Sequence, residues 1–309
     1  MKIAVLGCGA VGSLYAAALE KTGQHQLLCV VRSQAHADSI NESGITITEP
    51  EGAVIYAARP RGAVSVENEG PADLVLIAVK SYSTAQALSQ HSALFGPDTI
   101  GLTLQNGYGN HNDLKSVLRD DRIILGTTAM GVNIRPDGRI VLAGKGPTVI
   151  GSAGSGRSAG EALDTVKNLL NEAGFETRTT DDPEDAVLNK LFINVGINAV
   201  CSLNDKENRY ICGDPDMKAR ASALVLEAVD VVNTALGRSY RGDEILEKVM
   251  SVARSTGNNV CSMLQDVRSR RTTEIDRING AVLDLAASAG IKAPENEKVV
   301  SEIKGLYAL

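Results

Sequence analysis

The chain has 309 residues, 43% hydrophobic and 22% charged, with a net charge of −6; that is the balance of an ordinary soluble globular protein, and the length favours two domains. The acidic balance, with no basic tract and no array of stacking aromatics, argues against nucleic acid as a partner, and polar residues are expected to interrupt every apolar run short of a membrane span. The apolar run at the N-terminus is too short for a signal peptide and leads directly into glycines, so the expected compartment is the cytoplasm.

A first strand is predicted over 2–6, running into Gly7-Cys8-Gly9-Ala10-Val11-Gly12 and then a helical pattern over 10–22. Strand, G-x-G-x-x-G and helix in that order are the context in which the motif binds a dinucleotide. The first glycine permits the tight turn, the second lets backbone approach a pyrophosphate, and the third lets helix and strand pack closely. The phosphates would rest on the helix N-terminus, where Ala10 and Val11 present N–H groups. The second strand, 26–31, lacks the terminal acid that binds a ribose 2′-hydroxyl and runs into Arg32-Ser33 instead. A guanidinium fork beside a hydroxyl suits a 2′-phosphate, which favours NADP(H) over NAD(H); a solvated loop cation is the plainer alternative.

Further strands are predicted over 73–79, 99–104, 123–129, 139–143 and 147–150, with helices over 82–94, 109–118 and 158–173 and a last strand over 175–179. The run Asp73-Leu74-Val75-Leu76-Ile77-Ala78-Val79 is almost continuously apolar, as befits a parallel strand buried on both faces. Such alternation predicts a Rossmann-type doubly wound α/β domain. Gly151-Ser152-Ala153-Gly154-Ser155-Gly156 reads as a surface loop, because the α/β pattern resumes after it. The domain boundary is placed at 181/182. Beyond it strand signals stop, and helices are predicted over 183–202, 214–236, 242–267, 273–289 and 294–305, an all-α domain over 182–309.

Four constellations could carry chemistry. Lys80 follows a buried strand at the edge where open α/β sheets bind ligands; it could also be a snorkelling surface lysine. Asn106, after the next strand, offers an amide that could orient a nicotinamide or a substrate oxygen, or could simply hold an Asn-Gly turn. In the apolar segment 189–200, Lys190, Asn194 and Asn198 recur at i, i+4 and i+8 and share one helix face. Burial there would lower the lysine's pKa and suit it to proton transfer, unless the three form a structural ladder between helices. Asn259 and Ser262 could bind a carboxylate or hydroxyl, and Glu274 is either a site acid or part of a capping box formed by Thr273 and Asp276. The five cysteines (Cys8, Cys29, Cys201, Cys212, Cys261) are scattered and read as thiols, and the four histidines suggest no metal site.

Together, GCGAVG, Arg32, AVKSY, LQNGYGN, NKLFINVGINAV and SMLQDVRSRRTTEIDRING resemble the ketopantoate reductase (2-dehydropantoate 2-reductase) family over nearly the whole chain. The resemblance implies an NADP-binding Rossmann domain over 1–181 and an all-helical substrate and catalytic domain over 182–309. It implies NADPH-dependent reduction of ketopantoate to pantoate, for pantothenate and coenzyme A synthesis. Position by position it implies Lys190 as the catalytic general acid and Glu274 as the acid that positions the substrate hydroxyl and the lysine. Asn106 would lie beside nicotinamide and substrate, and Asn194, Asn198 and Ser262, with Asn208 and Asn259 less closely matched, would bind substrate. Gly7, Gly9, Gly12, Arg32 and Lys80 fall on the cofactor side. Leu188, where some members carry Trp, and Arg209-Tyr210 after Asn208 depart from the pattern and bear on the shape of the substrate pocket. On sequence two other functions stay open: an NADP-dependent reductase or dehydrogenase of another branched 2-keto or 2-hydroxy acid, and a non-catalytic NADP(H)-sensing protein. The expected partner is a small-molecule 2-keto acid; a homodimer is one assembly open to such a chain.

Overall fold

A computed structural model describes residues 1–135 and 138–306. It divides into two units, one formed by Met1–Gln105 and Asn110–Ala186, the other by Asn106–Gly109 and the chain from Val187 onward.

The first unit contains β1 (Lys2–Leu6), α1 (Ala10–Lys21), β2 (Gln26–Val30), α2 (Gln34–Ser43), β3 (Ile45–Thr48), β4 (Val54–Ala58), β5 (Arg61–Ala63), β6 (Leu74–Ile77), α3 (Thr84–Gln90), β7 (Ile100–Thr103), α4 (Asn110–Leu114), β8 (Ile123–Thr128), β9 (Gly131–Ile134), β10 (Ile140–Gly144), β11 (Thr148–Ser152), α5 (Arg157–Glu172) and β12 (Thr177–Thr179). Eight strands form one sheet in the order β12-β11-β8-β7-β6-β1-β2-β5. Every neighbouring pair is parallel except β8 with β11. Strands 1 and 6 are buried on both faces, as their apolar sequences require. Chain order reverses between β1 and β6, and the carboxyl ends of strands at such a switch point are where open α/β sheets bind ligands.

The sequence reading missed a second sheet, of order β4-β3-β10-β9, of which only β10 was expected. These strands are short and half-exposed, so no sustained apolar alternation announces them. They cover the outer side of α1, and as a result that helix is buried continuously from Gly12 to Leu19. Within that core Tyr15 stacks on Phe175 at 4.3 Å, and its hydroxyl joins Thr128 and Thr148 in a buried triangle of 3.0–3.1 Å contacts.

The second unit holds α6 (Pro183–Asn204) for most of its length, α7 (Tyr210–Gly213), α8 (Pro215–Leu236), α9 (Gly242–Ser255), α10 (Ser262–Arg268), α11 (Asn279–Ser288) and α12 (Pro294–Gly305). Its core is a cluster of aliphatic residues including Leu191, Val195, Val225, Val229, Val249 and Val282. Helix α8 shows how local sequence sets an element. Asp214 caps its first N–H groups (2.9 and 3.1 Å), Pro215 opens it, and Gly237 ends it in the left-handed conformation.

Several expected boundaries are corrected. The helix predicted over 242–267 is two helices, because Gly257-Asn258-Asn259 are turn formers that break it between α9 and α10. The helix expected from 273 begins only at Asn279. Thr273 and Glu274 precede a 3-10 turn, Ile275–Arg277, where Thr273 Oγ1 accepts from the Ile275 N–H (3.3 Å), so neither residue lies in the first turn of a long helix. Gly151 and Ser152 close β11 rather than lying in a loop. Helix α6 is long and apolar enough, by composition, to pass for a membrane span, contrary to the expectation that polar residues would interrupt every such run. Two-thirds of its most apolar stretch (67%) is buried against the rest of the chain, as in the core helix of a globular unit.

Candidate active site

The glycine turn joins β1 to α1. Gly7 adopts φ +94°, and a Cβ there would lie 2.7 Å from the Val79 nitrogen; one on Gly12 would lie 2.0 Å from the Gly7 carbonyl oxygen. Both positions are therefore glycine because the fold requires it. Gly9 is different: nothing in the protein comes within 4 Å of where its Cβ would be. Its backbone is exposed at the N-cap of α1, with Ala10 and Val11 partly exposed behind it. No side chain caps the helix and no acid occupies its first turn. The first-turn N–H groups, which have no acceptor within the helix, thus face a bare backbone. That arrangement fits a dinucleotide's pyrophosphate. Ser13 braces the turn through its hydroxyl to the Cys8 carbonyl (3.0 Å).

Arg32 follows β2 and is exposed. The Ser33 hydroxyl accepts from the His36 N–H (3.3 Å), capping α2, a helix the sequence reading did not foresee. The hydroxyl beside Arg32 thus uses an acceptor site on the helix while its own O–H stays available as a donor, and Arg32 stands next to a helix N-terminus. Lys80, part-buried, stands at the N-cap position of the 3-10 turn Ser81–Ser83 that follows β6.

In the second unit, Lys190 is partly exposed on α6, yet burial of its surroundings lowers its ammonium from about 10.5 to about 8, against the opposing pull of the Glu274 carboxylate. Glu274 is 8% exposed. One turn further along the lysine's face, Asn194 buries an Nδ2 that has no hydrogen-bond partner among the described residues. An unmet buried amide donor is costly, so a ligand oxygen is the fitting acceptor. Asn198 is buried, and its carbonyl accepts from Ser202 Oγ (2.7 Å) and Cys261 Sγ (3.6 Å), tying α6 to the residue before Ser262. Ser262 opens α10 and is exposed.

The remaining expected residues separate into two kinds. Asn106 belongs to a four-residue segment grouped with the second unit, where the Tyr108 N–H donates to the Arg277 carbonyl (2.9 Å), and Arg277 in turn donates to the Glu274 carbonyl (3.0 Å). Asn106 and Glu274 are therefore on joined segments. Asn208 instead spends its amide on Thr256 Oγ1 (2.8 Å), and its N–H donates to the Asn259 carbonyl (3.1 Å). These bonds hold the turn between α9 and α10, on which Asn259 is exposed. A polar cavity of about 730 Å³ in the first unit, lined by His111, Lys115, Asp121 and Glu184 among others, contains none of the expected site residues. What the sequence reading overlooked is Gln105, which sat inside the segment quoted for its asparagine.

Family models of the ketopantoate reductase PanE/ApbA type match residues 3–155, and those of its C-terminal part match 182–307. The chain belongs to the ketopantoate reductase family. Among its relatives, a 2-dehydropantoate 2-reductase of Halobacterium salinarum is 33% identical over 95% of each chain. Solved structures of the same fold include 2-dehydropantoate 2-reductase from Geobacter metallireducens (TM-score 0.88, 25% identity, 99% of each chain). They also include D-mandelate dehydrogenase with NADH and anilino(oxo)acetate (TM-score 0.92, 24% identity, 100% of this chain and 98% of that one). The family is one of NADP-dependent oxidoreductases.

Proposed function

We propose that this chain reduces ketopantoate to pantoate with NADPH, for pantothenate and coenzyme A synthesis. The observation that carries the reading is the face of α6, where a lysine with a lowered pKa and an unpartnered buried amide lie one turn apart. That pair suits a substrate bearing a carbonyl oxygen that must be held and then protonated. The glycine turn, the N–H groups of Ala10 and Val11, Arg32, Lys80 and Asn106 would hold the cofactor, residues 1–181 serving it and 182–309 the substrate. When bound, NADPH supplies the hydride that reduces the ketone.

The residues do the rest. Lys190, with a pKa about 8, is mostly protonated at neutral pH and gives its Nζ proton to the oxygen as negative charge develops there. The Glu274 carboxylate favours the ammonium form and positions the lysine and the substrate hydroxyl. Asn194 Nδ2 donates to the substrate, with Asn198 and Ser262 completing its polar contacts. Asn208 holds the turn that precedes Ser262 through Thr256, and Asn259, exposed on that turn, offers its side-chain amide to the substrate. The five cysteines are free thiols, in keeping with a reducing, cytoplasmic setting.

The test follows NADPH absorbance with purified chain and ketopantoate, beside other branched 2-keto acids and an NADH control. The reading expects oxidation that is fastest with ketopantoate and NADPH. Turnover of another keto acid alone would replace the substrate, and NADPH binding without any turnover would leave a sensor.

A further inference from the structure

At the switch point the hydrogen-bond ladder between β1 and β6 ends with the Ala78 N–H, which still donates to the Leu6 carbonyl (2.8 Å). One residue further on, the side chain of Gln105 takes over. Its Nε2 donates to the Val79 carbonyl (2.8 Å) and to Thr84 Oγ1 (2.8 Å), and its Oε1 accepts from Thr103 Oγ1 (2.9 Å). Thr84 and Thr103 are both buried. Val79 in turn lies with its backbone against the Cα of Gly7, the contact that excludes a side chain there. One amide thus links the carboxyl ends of β7 and β6 and, through Val79, the first glycine of the nucleotide turn.

From this geometry we infer that Gln105 is a positioning residue for the cofactor: it fixes the 79–84 segment, and with it Lys80, against the glycine turn. The inference rests on the NADPH reading above. No other side chain replaces it. Glu lacks the two donors, Asn is one methylene shorter, and Met keeps the length but makes none of the bonds. Its effect on chemistry is indirect, so its loss should appear in cofactor affinity and not in the rate at saturating cofactor.

The opposite edge of the same strands supplies the control. Thr99, just before β7, donates through Oγ1 to the Ala72 carbonyl (2.7 Å) and accepts from the Gly96 N–H (2.9 Å), so it braces β6 to β7 at their amino ends. The NADPH dissociation constant, the KM for NADPH and the melting temperature without ligand would be measured for the full chain and for Gln105→Met, Thr84→Val, Thr84→Ser and Thr99→Val. Gln105→Met should raise the dissociation constant and KM about tenfold or more, the loss of roughly 1.4 kcal/mol or more of positioning, with kcat kept within about twofold. Thr84→Val should raise them about threefold, and Thr84→Ser, which keeps the hydroxyl, should restore wild-type affinity. Thr99→Val should lower the melting temperature while leaving affinity unchanged. If Gln105→Met does not fold, the Thr84 pair decides alone. Equal affinity in Gln105→Met and wild type, or affinity losses that track melting temperature across all four variants, would overturn the inference. A wild-type chain that does not bind NADPH would overturn the cofactor reading itself, and the brace with it.

Discussion

The glycine turn of the first unit and the polar face of α6 in the second unit are built by opposite means. In the turn, backbone does the work: Gly7 and Gly12 are fixed by contacts of 2.7 and 2.0 Å that a side chain would destroy, and the helix end behind them offers N–H groups that belong to no particular residue type. On α6, side chains do the work. Lys190 and Asn194 are placed by helical spacing, but what makes them a candidate site is Glu274, some eighty residues away in sequence, and the absence of any protein acceptor for the Asn194 amide among the described residues. A backbone site is written in a dozen consecutive letters. A side-chain site is written in the packing of helices whose sequences show only that they are apolar.

That contrast predicts where substitutions act. Replacing Lys190 by Ala removes the proposed proton donor and nothing from the glycine turn. Turnover should fall by about 10²–10⁴-fold, with the NADPH dissociation constant within about twofold of wild type in a fluorescence titration. Turnover close to wild type would remove the lysine from the chemistry. The reciprocal substitution, Arg32→Ala, should spare kcat and weaken NADPH by about 10–100-fold, the worth of charge-assisted hydrogen bonds to phosphate, while NADH, which lacks the 2′-phosphate, changes little. Equal losses for the two cofactors would mean that Arg32 does not read the phosphate.

Within the turn itself Gly12 and Gly9 can be told apart. Gly12→Ala forces a methyl against the Gly7 carbonyl and should cost about 1–3 kcal/mol of stability, lowering the melting temperature without ligand along with NADPH affinity. Gly9→Ala meets open space, so its melting temperature without ligand should match wild type while NADPH binds about tenfold more weakly. If Gly9→Ala binds NADPH as well as wild type does, the bare backbone is not where the pyrophosphate rests.

The same contrast explains what was legible before the structure. The parallel strands β1, β6, β7 and β8 were legible because burial on both faces makes them continuously apolar, and the helices α1, α5, α6, α8 and α12 because their periodicity is sustained. Strands β3, β4, β5 and β9, of three to five residues and partly exposed, carry no such signal. Of the candidate site, the i, i+4, i+8 pattern from Lys190 to Asn198 could be read from spacing alone. The division of labour between Asn194, whose donor is unmet, and Asn208, whose amide is consumed by Thr256, could not, since Thr256 lies 48 residues from Asn208 and no local pattern tells which amide finds a partner in the fold. Gln105 was hidden for the same reason: its three partners lie 2, 21 and 26 residues away.

The smallest effect tests the longest-range link on the α6 face. Burial disfavours the Lys190 ammonium and the Glu274 carboxylate opposes it, leaving the pKa at about 8. In the proposed general-acid role the lysine would act in its protonated form, so kcat/KM for reduction should be flat below this value and decline as pH rises through it. Glu274→Gln removes the negative charge and leaves the desolvation in place. The lysine's pKa then falls, and the decline moves to lower pH, so the variant loses more activity at pH 8 than at pH 6. Asp276, two residues on, is exposed and paired with Lys304 (2.6 Å). Asp276→Asn changes the same net charge outside the field that acts on Lys190, and its profile should overlay that of wild type. A shift in both variants would point to a diffuse charge effect, and a shift in neither would mean that the group titrating near pH 8 is not a lysine held by Glu274.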